Sequence, residues 1–440
     1  MKKIYYFLDL TQKAPLRLSS GEGEETDSDL RLDSRGLPYI PGTSLTGVLR
    51  SRMHEKDANL IFGYIDIGES SRTGTNVSAA SRLIVSDAVL APDTDPNTVM
   101  ILSRDGVGID DWGQAVKHAK YDFQAVETDG KYHAVLEWSG DDNSEKEEIT
   151  LLIEPLLSSL VSEGISFGAR TTRGYGEMDI EVRKKVFIFP EQTEEWLSYY
   201  PLSKRFGETD RGTPLEGKES ARTQTDIEVS ICMKDSFNIR VNTSRAECLE
   251  DGTVPDSVPL MNSGGQPVIP GTAWAGVFRH HMHRLLRETG MTGKDYEEEI
   301  QRIDYDCFGM SRDKKKTAHK KSQISFSETT ILGGRSNTIT RNAVDRFTAA
   351  PKNTGLFTNQ VWTGGKGILH IRLTDRISVK DTLLLFAAIY DMGKGLMTIG
   401  GEAGIGRGVI EINDLKIDGV NKNEFLDTGC LKLSEEREII

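Results

Sequence analysis

The chain has 440 residues, 37% hydrophobic and 28% charged, with a net charge of −13, which is a globular composition long enough for two cores of about 200 residues each. The acidic balance excludes a protein that holds nucleic acid by bulk attraction, because sequence-independent affinity comes from neutralising phosphates with Lys and Arg, so any such site must be a local groove. No run approaches the roughly 18 apolar residues of a membrane span, and Cys232, Cys248, Cys307 and Cys430 lie far apart without Cys-x-x-Cys spacing, which points to a reducing cytoplasm and away from disulfides or zinc knuckles.

In chain order, Lys3 to Leu10 predicts an opening strand, since an acid follows the two lysines before any apolar core of signal-peptide length. Leu16-Arg-Leu18 leads into an acid-rich, glycine-rich loop, Gly21 to Asp29. Pro41-Gly42 starts a helix, with Thr43 placed to cap free amides and Leu45, Val48, Leu49 and Met53 at helical spacing. Phe62-Gly63 and the alternating strand Ser81 to Asp87 follow, then a variable insertion, a helix over Ile149 to Glu163, and a glycine loop, Gly168 to Gly176, that feeds a last strand.

The same series then returns. Pro38-Tyr-Ile-Pro-Gly-Thr-Ser-Leu-Thr-Gly-Val-Leu-Arg50 recurs as Pro267-Val-Ile-Pro-Gly-Thr-Ala-Trp-Ala-Gly-Val-Phe-Arg279, an offset of 229. Ile227 to Met233 and Ile239-Arg-Val241 precede it, and Phe308-Gly309, Ser322 to Glu328, a helix over Val379 to Tyr390 and the loop Gly400 to Gly408 follow it in order. An ordered series that drifts by only a few residues marks two copies of one domain. Each copy reads β-α-β-β-α-β, so the expected fold is α+β: two tandem ferredoxin-like (RRM-like) domains over 1–185 and 226–440. Between them 186–225, broken by Phe189-Pro190, Tyr199-Tyr-Pro201 and Gly212-Thr-Pro214, reads as a linker with short structured pieces.

These motifs, in this order and twice, resemble the RAMP superfamily of CRISPR-associated proteins, and within it the backbone subunit of type III (Csm/Cmr-like) effector complexes. The resemblance implies that each copy contacts guide RNA and pushes a β-hairpin thumb between segments of the guide–target duplex. Asn342 to Ala349 looks like the start of the second thumb and Gly108 to Phe123 like the first, which places Ile109, Trp112, Val344 and Phe347 on the thumbs. Guide-RNA contacts would fall at the helix starts (Thr43, Ser44 and Arg50; Thr272 and Arg279) and at the glycine loops (Gly168, Arg170, Arg173, Gly174 and Gly176; Gly404, Gly406, Arg407 and Gly408), where backbone amides can approach phosphate. A tight helix-to-strand connection would use glycine as well. Thr46 and Ala275 stand where many relatives have a lysine, which removes one expected phosphate contact.

In the family's slicing subunits an aspartate ahead of the Pro-Gly, followed six residues later by a second acid, cuts target RNA. Asp27-Ser28 lies 14 residues before Pro41 and Asp256-Ser257 lies 14 before Pro270, with Asp33 and Asn262 six residues on as possible support. Such a carboxylate can accept a 2′-hydroxyl proton or hold a hydrated divalent cation, Mg²⁺ or Mn²⁺, near the scissile phosphate, with no dedicated metal cage. Acids in glycine-rich loops are also ordinary turn residues. His280, His281 and His283 read as residues of a surface helix rather than as a metal cluster. The expected function is a metal-dependent endoribonuclease subunit that binds guide RNA, single-stranded target RNA and other effector subunits, and cuts at two fixed positions. A non-catalytic guide-binding scaffold and a guide-processing nuclease of the same superfamily are the alternatives.

Overall fold

The computed structural model describes residues 2–19, 21, 26–66, 77–91, 94–110, 114–127, 130–140, 145–201, 210–218, 224–241, 252, 254–309 and 320–429. The chain divides into two compact units: the first holds 1–103, 122–171 and 175–222, the second 104–121, 172–174 and 223–440. Two short stretches of the first sequence repeat thus belong to the second unit. Trp112 and the lysine run Lys314 to Lys316 lie outside the described residues. No described helix is long and apolar enough to cross a membrane.

Unit 1 is built from β1 (Lys2–Gln12), α1 (Gly42–Ser51), α2 (Glu55–Phe62), β2 (Leu83–Val85), the base of the hairpin strands β3 (Ile101–Ile109) and β4 (Ala115–Val126), whose outer part, 104–121, belongs to unit 2, then β5 (Lys131–Gly140), α3 (Glu145–Glu163) and β6 (Glu177–Ile188). Its sheet runs β6-β1-β5-β2, all antiparallel, the strand order of a ferredoxin-like fold. β1 alternates because it is the central strand: Ile4, Tyr6, Leu8 and Leu10 face the helices, where Leu45, Leu49, Ile153 and Leu157 complete the core. Tyr5 and Phe7 face the other way and are covered by Phe187 and Tyr199.

The cover comes from structured pieces within 186–225, the segment expected as a linker. Val186 to Ile188 continue β6, Trp196 Nε1 donates to the Tyr5 hydroxyl at 3.0 Å, and Thr213–Pro214 pairs with β6 at Lys184 and Arg183. Aromatic residues on the outer face of β1 need a lid, and residues 187–199 supply it within unit 1.

Unit 2 repeats the plan with β7 (Gln224–Met233), α4 (Gly271–Glu288), α5 (Gly293–Asp306), β8 (Ile324–Phe326), β9 (Arg335–Val344), β10 (Pro351–Thr363), β11 (Lys366–Thr374), α6 (Val379–Gly393) and β12 (Ile410–Ile417). Its sheet order, β12-β7-β11-β8, is the same topology. Trp274, Phe278 and Met282 sit at helical spacing on α4 and are fully buried against β7 and α6. Neither Thr43 nor Thr272 caps its helix: Pro41 and Pro270 occupy the N-cap positions without a side-chain hydrogen bond. In unit 1 the distant Asp87 Oδ1 accepts the Gly42 amide at 2.7 Å instead. His281 and His283 are buried and bonded to Asp391 (2.7 Å) and Asp304 (2.9 Å), correcting the surface-helix expectation, and among the described residues no group of three or more His, Cys, Asp or Glu side chains could hold a metal.

α5 is tied to the start of α6 by Arg302, which bonds Glu299 Oε1 at 2.9 Å and the buried Asp381 Oδ1 at 2.6 Å. Hydrogen bonds from Arg302 lower the Glu299 carboxyl to about 2, burial opposing and Lys380 adding to the shift. Burial favours neutral Asp381, but bonds from Arg302 and Ser378 outweigh it and hold its carboxyl below the ordinary range. Depressed carboxylates stabilise the fold above their unfolded pKa near 4, and that contribution is lost as pH falls toward 2. Arg302→Met should therefore cost about 2 kcal/mol at pH 7, less than a fully buried pair because Arg302 is one-third exposed. Urea unfolding of both proteins near pH 2 should bring their stabilities together; a gap that persists there contradicts this account.

Candidate nucleic-acid interface

The Asp-Ser segment meets the base of the hairpin in the same way in each unit. Asp27 Oδ2 accepts the Asp122 amide at 3.0 Å, Asp122 Oδ1 accepts the Asp27 amide at 3.0 Å, and the Ser28 carbonyl accepts the Gln124 amide at 3.1 Å. In unit 2, Asp256 Oδ2 accepts the Thr358 amide at 2.7 Å, the Thr358 carbonyl accepts the Asp256 amide at 2.7 Å, and the Ser257 carbonyl accepts the Gln360 amide at 2.9 Å. Ser28 and Ser257 are buried, with hydroxyls donating to Ser19 Oγ (2.8 Å) and Asn359 Oδ1 (2.9 Å). Asp27 and Asp256 are exposed. A buried serine anchors the loop and places the preceding carboxylate at the surface, on the strand that carries the thumb.

Asp33 and Asn262 do not join these carboxylates. Asp33 Oδ1 accepts the Arg35 and Leu37 amides (2.8 and 3.0 Å), and Asn262 Oδ1 accepts the Gln266 amide at 2.9 Å, closing the same turn. Burial pushes the Asp33 carboxyl up, but the Leu37 amide and Arg35 outweigh it and hold it below the ordinary range. The turn needs one side-chain oxygen, which asparagine supplies equally well.

Four of the arginines expected at phosphate have their guanidinium groups engaged within the fold. Arg50 donates to the Gly63 carbonyl at 2.6 Å and to Asn59, and Arg279 lies 3.5 Å from the buried Asp304. Arg173 donates to the Phe308 carbonyl at 2.9 Å. Arg407 is only 6% exposed, its Nε on Glu402 at 2.6 Å and its Nη1 on Ser236 Oγ at 2.6 Å. Thr43 is exposed, and Ser44 and Thr272 are half-buried, at the helix starts. The glycine loops form short 3₁₀ turns, Thr171–Arg173 and Ala403–Ile405, bounded by Gly168 and Gly174 in one and containing or adjoining Gly404 and Gly406 in the other. Gly176 and Gly408 have φ of +73° and +75°, and a Cβ there would lie within about 2 Å of the Phe167 and Ile399 carbonyls, so the loop's close closure requires glycine.

Other residues do gather at the carboxylates. In unit 2 a cleft of about 340 Å³ is lined by Arg240, Asp256, Ser257, Phe357, Asn359 and Glu402. Glu402, in left-handed backbone at φ +65°, collects Arg407, Arg341 (3.2 Å), Asn359 (3.1 Å) and Arg240 (3.4 Å). Unit 1 places Arg170 at the matching position, φ +63°, where it and Arg17 lie over the Phe123 ring at 5.0 and 4.3 Å. Sequence reasoning missed Arg17, Asp122, Phe123, Arg240, Asn359 and Glu402; the paired Leu16-Arg-Leu18 and Ile239-Arg-Val241 segments were the available signal. On the hairpins Ile109 and Val344 are exposed, and Phe347 is 88% exposed at the tip of the second.

Arg407→Leu should therefore act on the fold. Leaving Glu402 short of its strongest partner should lower the stability of unit 2 by about 3 kcal/mol in urea unfolding, while the salt dependence of RNA affinity keeps its slope; a slope reduced by about one would return Arg407 to phosphate contact.

The model of the RAMP superfamily matches residues 9–179 and 244–411, most of the chain. No curated protein matches it. Two matched regions, two ferredoxin-like units and one recurring loop–hairpin junction lead to the same statement: the chain belongs to the RAMP superfamily, as a CRISPR-associated protein with two RAMP domains.

Proposed function

We propose that this protein is a backbone subunit of a type III RNA-guided effector complex, that it binds guide RNA, and that it cuts complementary RNA at two fixed positions through Asp27 and Asp256. The observation that carries the reading is the exposed aspartate set by a buried serine at the base of each hairpin. With a net charge of −13 the chain must hold RNA locally. Arg240, half exposed in the Asp256 cleft, supplies a cation for a phosphate there, and in unit 1 Arg17 and Arg170 lie over Phe123, the residue after Asp122.

Each aspartate gives one oxygen to a hairpin amide and keeps a second oxygen for chemistry. That oxygen can take the proton of an attacking 2′-hydroxyl, and the hairpin amide fixes its direction. The donor set fits a hydrated Mg²⁺ or Mn²⁺ completed by water and RNA phosphate, rather than a resident metal, and unit 1 adds the Asp122 carboxylate where unit 2 has Thr358. Such an ion would supply charge neutralisation at the scissile phosphate.

The carboxylate–amide bonds favour one second reading, a scaffold in which both aspartates only tie loop to hairpin. Asp27→Asn and Asp256→Asn separate the two, since each keeps an acceptor for the hairpin amide and removes the charge. The cutting reading expects each variant to lose one product by at least about 100-fold, to keep the other, and to bind RNA as the parent does. Unchanged products in both variants would leave the scaffold.

A further inference from the structure

Glu402 holds two arginines toward solvent and is itself fixed from behind. Each of its carboxylate oxygens meets one buried group and one guanidinium that reaches the surface. Oε1 accepts Nδ2 of the buried Asn359 at 3.1 Å and pairs with Arg240 at 3.4 Å. Oε2 accepts Nε of the buried Arg407 at 2.6 Å and Nη2 of Arg341 at 3.2 Å. The Glu402 side chain is 13% exposed, against 51% for Arg240 and 29% for Arg341. Every one of these bonds joins described residues of unit 2.

The same bonds lead back to Asp256. Ser257, the buried serine that sets Asp256 at the surface, donates its hydroxyl to Asn359 Oδ1 at 2.9 Å, and Asn359 in turn bonds Glu402. Arg407 is anchored at its far end on Ser236 Oγ at 2.6 Å. Arg341 lies over the Phe357 ring at 5.9 Å, and that ring lines the same cleft as Asp256 and Arg240. A guanidinium has five donors, so one bond to Glu402 leaves others for a ligand. Three guanidinium groups meet one carboxylate, which leaves this network positive in an acidic chain. The backbone adds a second sign of function: Glu402 is left-handed at φ +65°, where glycine is unstrained and a long side chain is uncommon. Such strain persists where the surroundings over-determine it, as at functional sites. Unit 1 has Arg170 in the same backbone and Phe123 in place of Asn359, so the position that carries a carboxylate in one unit carries a guanidinium in the other.

We propose that Glu402 is the positioning residue of the second site: it holds Arg240 and Arg341 as a pair, in register with Asp256, for the phosphodiester at which Asp256 acts. This deepens the cutting reading and rests on it. Guanidinium groups suit phosphate oxygens, and donors whose directions are fixed beforehand stabilise most the charge that builds on those oxygens during reaction. Arg407, 6% exposed, takes no part in that contact and fixes the carboxylate instead.

Single-turnover cutting by the assembled complex, with both products quantified and target affinity measured across a salt series, tests it. Arg240→Gln with Arg341→Gln, both partly exposed positions, should slow the Asp256-dependent product relative to the Asp27-dependent one by at least about tenfold and lower the salt slope of affinity by about two. Glu402→Gln keeps both arginines, so it should slow the same product by at least about tenfold with the salt slope retained. In the background of the two arginine substitutions, Glu402→Gln should change that product by less than about twofold, because nothing is left to position. Products unaffected by Asp256→Asn would fail the cutting reading, and this proposal with it. Where that control is passed, the proposal alone is overturned if the folded double arginine variant makes the Asp256-dependent product at the parental rate. It is equally overturned if folded Glu402→Gln cuts as the parent does, or slows cutting as much without the two arginines as with them, the result of a purely structural role.

Discussion

A carboxylate accepting a backbone amide across a loop–hairpin junction is the contact on which the rest of this protein's proposed chemistry depends. In both units the Asp-Ser segment has little regular structure, and it is held by pairing with the strand that becomes the thumb. The bond spans about a hundred residues of sequence, so it forms only when the ferredoxin-like core has brought loop and hairpin together. It sets the carboxylate at a defined place on the surface and couples that place to the thumb. A rigid strand is a better platform for a reacting group than a free loop, because small displacements of a catalytic group cost orders of magnitude in rate.

The second constraint is the use of positive charge. The chain is acidic, and four arginines expected at phosphate bond carbonyls and carboxylates within the fold: Arg50 under the Phe62-Gly63 turn, Arg279 on Asp304, Arg173 on the Phe308 carbonyl and Arg407 on Glu402. Buried guanidinium groups need such partners, because an unpaired buried charge costs several kcal/mol. What remains near each aspartate differs in kind. Unit 1 has two arginines flanking an aromatic ring, and unit 2 has an arginine–glutamate network around a cleft. The two sites share a backbone geometry and not an electrostatic environment.

The duplication, the helix starting at each Pro-Gly and the core faces of β1 and α4 were legible in the sequence, because periodicity and a nearly constant offset report burial directly. The register of Asp27 with Asp256 was legible for the same reason. The destinations of the arginines were not: a guanidinium bound for phosphate and one bound for a carbonyl read alike. The role of Asp33 was hidden until its asparagine counterpart proved to close the same turn through one oxygen. Arg170 and Glu402 were illegible as a pair, since nothing in either side chain announces left-handed backbone. The cover that residues 187–199 provide for Tyr5 and Phe7 was not legible, because the prolines there mark breaks between short pieces without showing what those pieces pack on.

The central claim is that one geometry, repeated on one chain, presents two reactive carboxylates to a single RNA. Mapping cut sites at single-nucleotide resolution on two unrelated targets, each paired to its own guide in the assembled complex, tests it most directly. The account predicts two cuts on each target, separated by the same number of nucleotides regardless of sequence. A single cut, an interval that moves with the target sequence, or intact target under conditions where the complex binds it would contradict the claim.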